Sequence, residues 1–192
     1  MSNNQTHQQI LQAAFKLFAE HGIDKTSLAM IAAEVGITKP AIYYHFSSKE
    51  ALIAFIFEET FRDYTFAHYF KIDEFTKENF HTLLVENGLK MLPQEEEEYS
   101  IMRVLNEFLL AVSRQDVYRQ RLYDIEEDFL LGFTALMEKG VELGVVAPDK
   151  ISAKAYVLAL VIDNLSNFML MGFNPDVREV WAEAVAGVLI RP

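Results

Sequence analysis

The chain has no cysteine among its 192 residues. That excludes a disulfide scaffold, a thiolate metal site and a thiol nucleophile. Proline and glycine are sparse, five and eight, and fall nearly always at the ends of helical patterns, so no linker interrupts the chain. Cations are scarce too: 17 Lys and Arg face 28 Asp and Glu, for a net charge of −11. Such acidity argues against non-specific nucleic-acid binding. Met1–His7 has neither a basic segment nor an apolar one, so no signal peptide is expected. The longest apolar stretch, Ala155 to Ile162, stops at Asp163, far short of the roughly 18 residues of a membrane span. The expectation is a soluble cytoplasmic protein with no membrane partner. No Gly-x-Ser-x-Gly, P-loop, Gly-x-Gly-x-x-Gly or His-Glu-x-x-His motif occurs, so neither an enzyme nor a cofactor is expected. Glu78 and His81 form a lone Glu-x-x-His, which lacks the second pair a di-iron bundle needs, and no metal is expected.

What is present is apolar and helical. Half of the residues are hydrophobic and 12% are aromatic, enough for a sizeable core. The charge is unevenly spread. Lys16, Lys25, Lys39 and Lys49 balance Glu20, Asp24, Glu34 and Glu50 over residues 1–50, so the whole deficit lies beyond. A small, locally neutral head can still bind a specific nucleic acid.

Helical spacing predicts a first helix over Thr6–His21, opened by a Thr6/Gln9 capping box and ended by Gly22. A short second helix follows Thr26 and stops at Gly36, where a left-handed residue is usual. Thr38 opens a third, with Pro40 in its first turn. A Ser47/Glu50 capping box then opens a long helix from about Ser48 to Phe70. Beyond it, Pro93, Pro148 and Pro175 divide the chain into helical segments near 76–92, 95–144, 149–172 and 176–190, the second breaking near Ser113–Asp116. No useful segment alternates with period two. The predicted fold is all-α.

The most informative stretch runs from Thr26 to Phe46. Two short helices meeting at Gly36-Ile37-Thr38 make a helix-turn-helix. Ile37, Ile42 and Phe46 supply its inward side, leaving Lys39, Ala41, Tyr43, Tyr44 and His45 for other surfaces. A recognition helix needs such a face, with short residues near its start to enter a major groove and aromatic or polar residues to grip the backbone.

Gly22, Thr26, Ile31-Ala32, Gly36-Ile37-Thr38, Ile42-Tyr43-Tyr44-His45-Phe46 and Ser48-Lys49-Glu50-Ala51-Leu52 together resemble the N-terminal signature of the TetR/AcrR repressors. The resemblance covers about 55 residues. It implies a three-helix DNA-binding head over residues 1–47, with its motif near 27–46, and a larger helical effector-binding and dimerisation domain over 48–192. It implies phosphate or sugar contacts from Thr26, Ser27, Thr38, Tyr43, Tyr44, His45 and Lys49, and base contacts from Lys39, Pro40 and Ala41. Glycine is common in the family where Pro40 stands here. Gly144–Asp149 and the apolar helix after it are similar to the family's penultimate helix, which implies a homodimer pairing its last two helices, about 149–190. Those helices are apolar nearly all round, which requires burial on more than one side.

Seven of the fifteen phenylalanines lie between Phe55 and Phe80. Taken singly they read as core, but the resemblance implies a small-molecule pocket, of the mostly apolar kind. Candidate lining residues are Phe61, Tyr64, His68, Phe80, Met102, Asn106, Phe129, Asn164 and Phe168. The expected function is a transcriptional repressor released from a palindromic operator by a small apolar molecule, the 48–70 helix transmitting the change. The rivals are an activator on the same fold, and an all-α carrier or enzyme for a lipid-like ligand without DNA binding.

Overall fold

The computed structural model describes residues 3–93, 99–104, 106–107 and 116–190. Among them there are helices and turns but no strand. They form two compact units. The first holds residues up to Arg62 together with 96–119, and the second holds 63–95 with the chain from Gln120 onwards.

In the first unit α1 spans Asn3–His21, α2 Leu28–Val35, α3 Lys39–His45 and α4 Lys49–Phe61. Helix α1 packs on α2 and α4, and α2 on α3. Ile10, Phe18, Ile31, Ile42 and Leu52 are fully buried and form the core. The caps are local. Gly22 ends α1 at φ +84°, and Gly36 ends α2 at φ +76°, a conformation that costs glycine least. The Ser27 hydroxyl accepts from the Met30 N–H at 3.2 Å and opens α2. Two expected caps differ. Helix α1 starts upstream of Thr6, so Thr6 and Gln9 lie within it. Ser48, not Ser47, caps α4 by accepting from the Ala51 N–H at 3.1 Å. Glu50 then lies in the first turn, where its own N–H and the Ser48 hydroxyl hold its carboxyl below the usual range.

The long helix expected over 48–70 is two. After Phe61 the chain turns, and α5 begins anew over Phe66–Tyr69. The Asp128 carboxylate accepts from the Phe66 N–H at 2.7 Å and so supplies a helix start that no local residue encodes. The turn puts Phe66 over Gly132, where a Cβ would come within 2.1 Å of the ring.

The second unit continues with α6 over Phe80–Leu89, α7 over Asp116–Glu142, α8 over Ile151–Leu170 and α9 over Val177–Val188; α7 enters this unit at Gln120. Helix α6 starts four residues later than expected, because Thr76 and Asn79 bond to each other's backbone N–H. Helix α9 packs on α6 and α8. Helix α8 is long and apolar enough to cross a membrane by length and composition alone. It also buries Ala155, Leu158, Ile162 and Leu165, as a core helix does. The expected break near Ser113 and the acidic run Glu95–Glu98 lie outside the described residues.

Candidate functional site

Burial of Ile42 and Phe46 fixes which side of α3 faces outward. Lys39 and Pro40 are exposed at its start, Tyr43 and Tyr44 are 48% and 78% exposed, and Ala41 is half-buried between them. The Lys39 ammonium stands 6.0 Å from the Tyr43 ring centroid, at the limit of cation–π range. Thr38 is exposed with no capping bond of its own. Ser27 is exposed at the start of α2, and its hydroxyl proton remains free to donate while its oxygen caps the helix. His45 is half-buried, its ring 5.8 Å from that of His7 and 5.5 Å from that of Tyr44. The structure therefore brings Lys39, Pro40, Tyr43 and Tyr44 onto one open face, flanked by Thr38 and Ala41.

Thr26 lies inside the head rather than on its open face. It is 1% exposed, and its hydroxyl lies 2.9 Å from the Gly22 carbonyl and 3.1 Å from that of Leu17. Its side chain fixes the turn between α1 and α2. Lys49 is half-buried, and its ammonium donates to the Ile23 carbonyl at 2.7 Å and lies 3.4 Å from that of Asp24. It braces the same turn from the other side.

Residues 10–55 match the family described as bacterial regulatory proteins, tetR family. The HTH-type transcriptional regulator AcrR of Shigella flexneri is 44% identical to this chain over 54 residues, which are 28% of this chain and 25% of that protein. The matched head thus spans about a quarter of that relative. The HTH-type transcriptional repressor BepR of Brucella suis is 23% identical over 171 residues, 88% of this chain and 82% of that one. The fold is similar to the crystal structure of a putative transcriptional regulator from Saccharomonospora viridis in complex with choline, with a TM-score of 0.80, 18% identity, and 98% of this chain and 100% of that chain covered.

The residues expected to line a pocket fall in both units. Phe61, Met102 and Asn106 belong to the first unit beside the TetR-type head, with Phe61 buried 4.9 Å from the Phe57 ring. Phe80 is buried against Phe75 at 5.2 Å and is core. Tyr64 and Phe129 do meet, at 5.0 Å, and Phe66 and Tyr69 extend that cluster. His68 is exposed beside Tyr69. Asn164 and Phe168 are exposed on α8.

A cleft of about 370 Å³ lies between α7 and α8, walled by Tyr123 and Tyr156 and edged by Glu126, Glu127 and Asp163. Loss of water around the Glu126 carboxyl, and then the nearby Asp163, push its pKa up; the same loss raises that of Asp163. Asp163 is visible in the sequence as a polar break in an apolar helix. Glu126 carries no such signal on a charged, amphipathic one.

Proposed function

We propose that this protein is a DNA-binding transcriptional repressor that acts as a cytoplasmic homodimer and is released from a palindromic operator by a small molecule. The observation that carries the reading is the open Lys39–Tyr44 face of α3, held out by a buried three-helix core of TetR type. Each α3 enters a major groove, where Lys39, Pro40 and Ala41 meet base edges and Ser27, Thr38, Tyr43, Tyr44, His45 and Lys49 meet the backbone. The repressor name of the Brucella relative supports the sign of regulation. Residues 1–47 supply the DNA-binding surface, and 48–192 carry effector binding and dimerisation.

The dimer forms through α8 and α9. Val157, Asn164, Phe168 and Met171 are all exposed and spaced seven, four and three apart, which is the spacing of a helix-pairing seam. Exposed Val180 and open Gly187 offer α9 a close approach. A twofold pair of heads then matches a twofold operator.

The expected effector is apolar, received by the aromatic cluster around Tyr64 and Phe129. The cleft beside it favours a second reading, an organic cation held between two tyrosine rings and the Glu126 and Asp163 carboxylates. The choline complex of the Saccharomonospora protein points the same way.

The test is fluorescence anisotropy of the full-length protein on the DNA upstream of its own gene, across a salt series. Tight, competitor-resistant binding of one dimer per palindromic site is expected. The salt slope should be shallow, because a neutral head displaces few counterions. Binding there no tighter than to random duplex, with no enrichment from a genomic fragment library, overturns the reading.

A further inference from the structure

Residue 23 of the head is held at both ends of its own backbone. Its N–H donates to the Glu107 carboxylate at 3.0 Å, and its carbonyl accepts from the Lys49 ammonium at 2.7 Å. The Ile23 side chain is buried, so the turn it begins, between α1 and α2, is anchored in the core as well. Gly22 makes room for this arrangement. A Cβ there would stand 2.9 Å from the nearer Glu107 oxygen, so the carboxylate occupies the space that a side chain would fill.

Ile23 belongs to the head and Lys49 opens α4 just beyond it, whereas Glu107 stands far along the chain. It groups with the first unit, although α6 before it and most of α7 after it belong to the second. Glu107 is helical, and its neighbours Asn106 and Arg103 are half-buried. A charge-assisted hydrogen bond to a backbone N–H is directional and is among the stronger single contacts a protein makes. One that reaches across 84 residues of sequence fixes a distant turn in space.

We infer that Glu107 is a positioning residue that sets the α1–α2 turn and hence the presentation of Ser27 and α3 to DNA. The inference rests on the regulator reading for its consequence, though not for its geometry. Ser27 lies four residues beyond Ile23, and its cap opens the helix that carries α3. Release of the Ile23 N–H therefore loosens the turn at the root of the DNA-facing surface. The contact also gives anything that moves Glu107 a handle on the turn.

The experiment compares the full-length wild type with Glu107→Ala and Glu107→Gln. Amide hydrogen exchange over residues 22–27 is read first. Glu107→Ala should exchange there about tenfold faster, the factor one charge-assisted hydrogen bond represents. Glu107→Gln keeps an acceptor oxygen at the same place and should restore most of the protection. Affinity is then measured for a duplex that the wild type enriches from a random-sequence library. Glu107→Ala should lose about fivefold, with Glu107→Gln in between, while amides of α8 and α9 keep their wild-type exchange. Wild-type exchange over 22–27 in Glu107→Ala overturns the inference. So does faster exchange there with unchanged affinity. If the wild type enriches no duplex, the regulator reading fails by itself, and the exchange result still decides whether Glu107 holds the turn.

Discussion

The indole of Trp181 lies directly against the backbone of Gly88. Its N–H points at the Leu84 carbonyl at 3.3 Å, and a Cβ on Gly88 would stand 2.3 Å from the indole nitrogen. Trp181 is fully buried, so the glycine is what allows α9 to lie against α6. Gly88→Ala is good for an isolated helix but must push the ring away, and overpacking of this kind costs about 1–3 kcal/mol. Urea denaturation should show that loss. An unchanged midpoint would mean that α9 shifts freely, contrary to the close fit seen here.

Tyr44 and Thr26 separate DNA contact from folding. Tyr44 is 78% exposed and Thr26 is 1% exposed. Tyr44→Ala should leave stability within about 0.5 kcal/mol and lower operator affinity at least tenfold. Thr26→Ala should cost about 1–2 kcal/mol by leaving the turn carbonyls without their hydroxyl partner. Melting curves and anisotropy on the same two variants give both readouts. Equal affinity for Tyr44→Ala and wild type would remove α3 from the interface.

The carboxyls of the α7–α8 cleft carry a pH dependence with a definite sign. Partial loss of water raises the pKa of Asp163 and, with help from Asp163, that of Glu126, while both residues keep an exposed side. The folded chain therefore holds protons to higher pH than the unfolded one. Stability falls as pH rises from the ordinary carboxyl range near 4 through the raised folded values. Asp163→Asn removes part of that fall. Its melting temperature should exceed that of the wild type by about 1–3 °C at pH 7, and the gap should close as pH is lowered towards 4. If the cleft takes an organic cation, choline chloride should stabilise the wild type and not Asp163→Asn.

The outer stripe of α8 predicts the oligomeric state. Phe168→Glu places a charge in the middle of the seam and should convert a dimer into a monomer in sedimentation velocity, with operator affinity lost alongside. A dimer of undiminished strength would move the interface elsewhere. Phe168 touches Phe173 at 5.3 Å and is 45% exposed, so the monomer itself should remain folded.

The parts of this protein that are legible in sequence are those whose cause is local. Gly22 and Gly36 end their helices because both must adopt positive φ, and Pro40 sits where its missing N–H costs nothing. The exposed Lys39–Tyr44 face follows from the spacing of Ile42 and Phe46 alone. Thr26 was legible as a residue of the motif but not as a buried one, since its acceptors are carbonyls of the preceding helix and turn.

The break after Phe61 was not legible, because neither proline nor glycine marks it and the acceptor at the start of α5 is Asp128, 62 residues away. The same holds for Glu107 at Ile23 and for Trp181 on Gly88, which read in sequence as one more acid and one more apolar residue. Helical period, caps and turn residues act through neighbours within four positions, so an all-α chain with a helix-turn-helix head can be read from the residues alone. Where a helix restarts, which carboxylate grips which amide, and which acids lose their water depend on groups brought together from distant positions, and no local pattern encodes them.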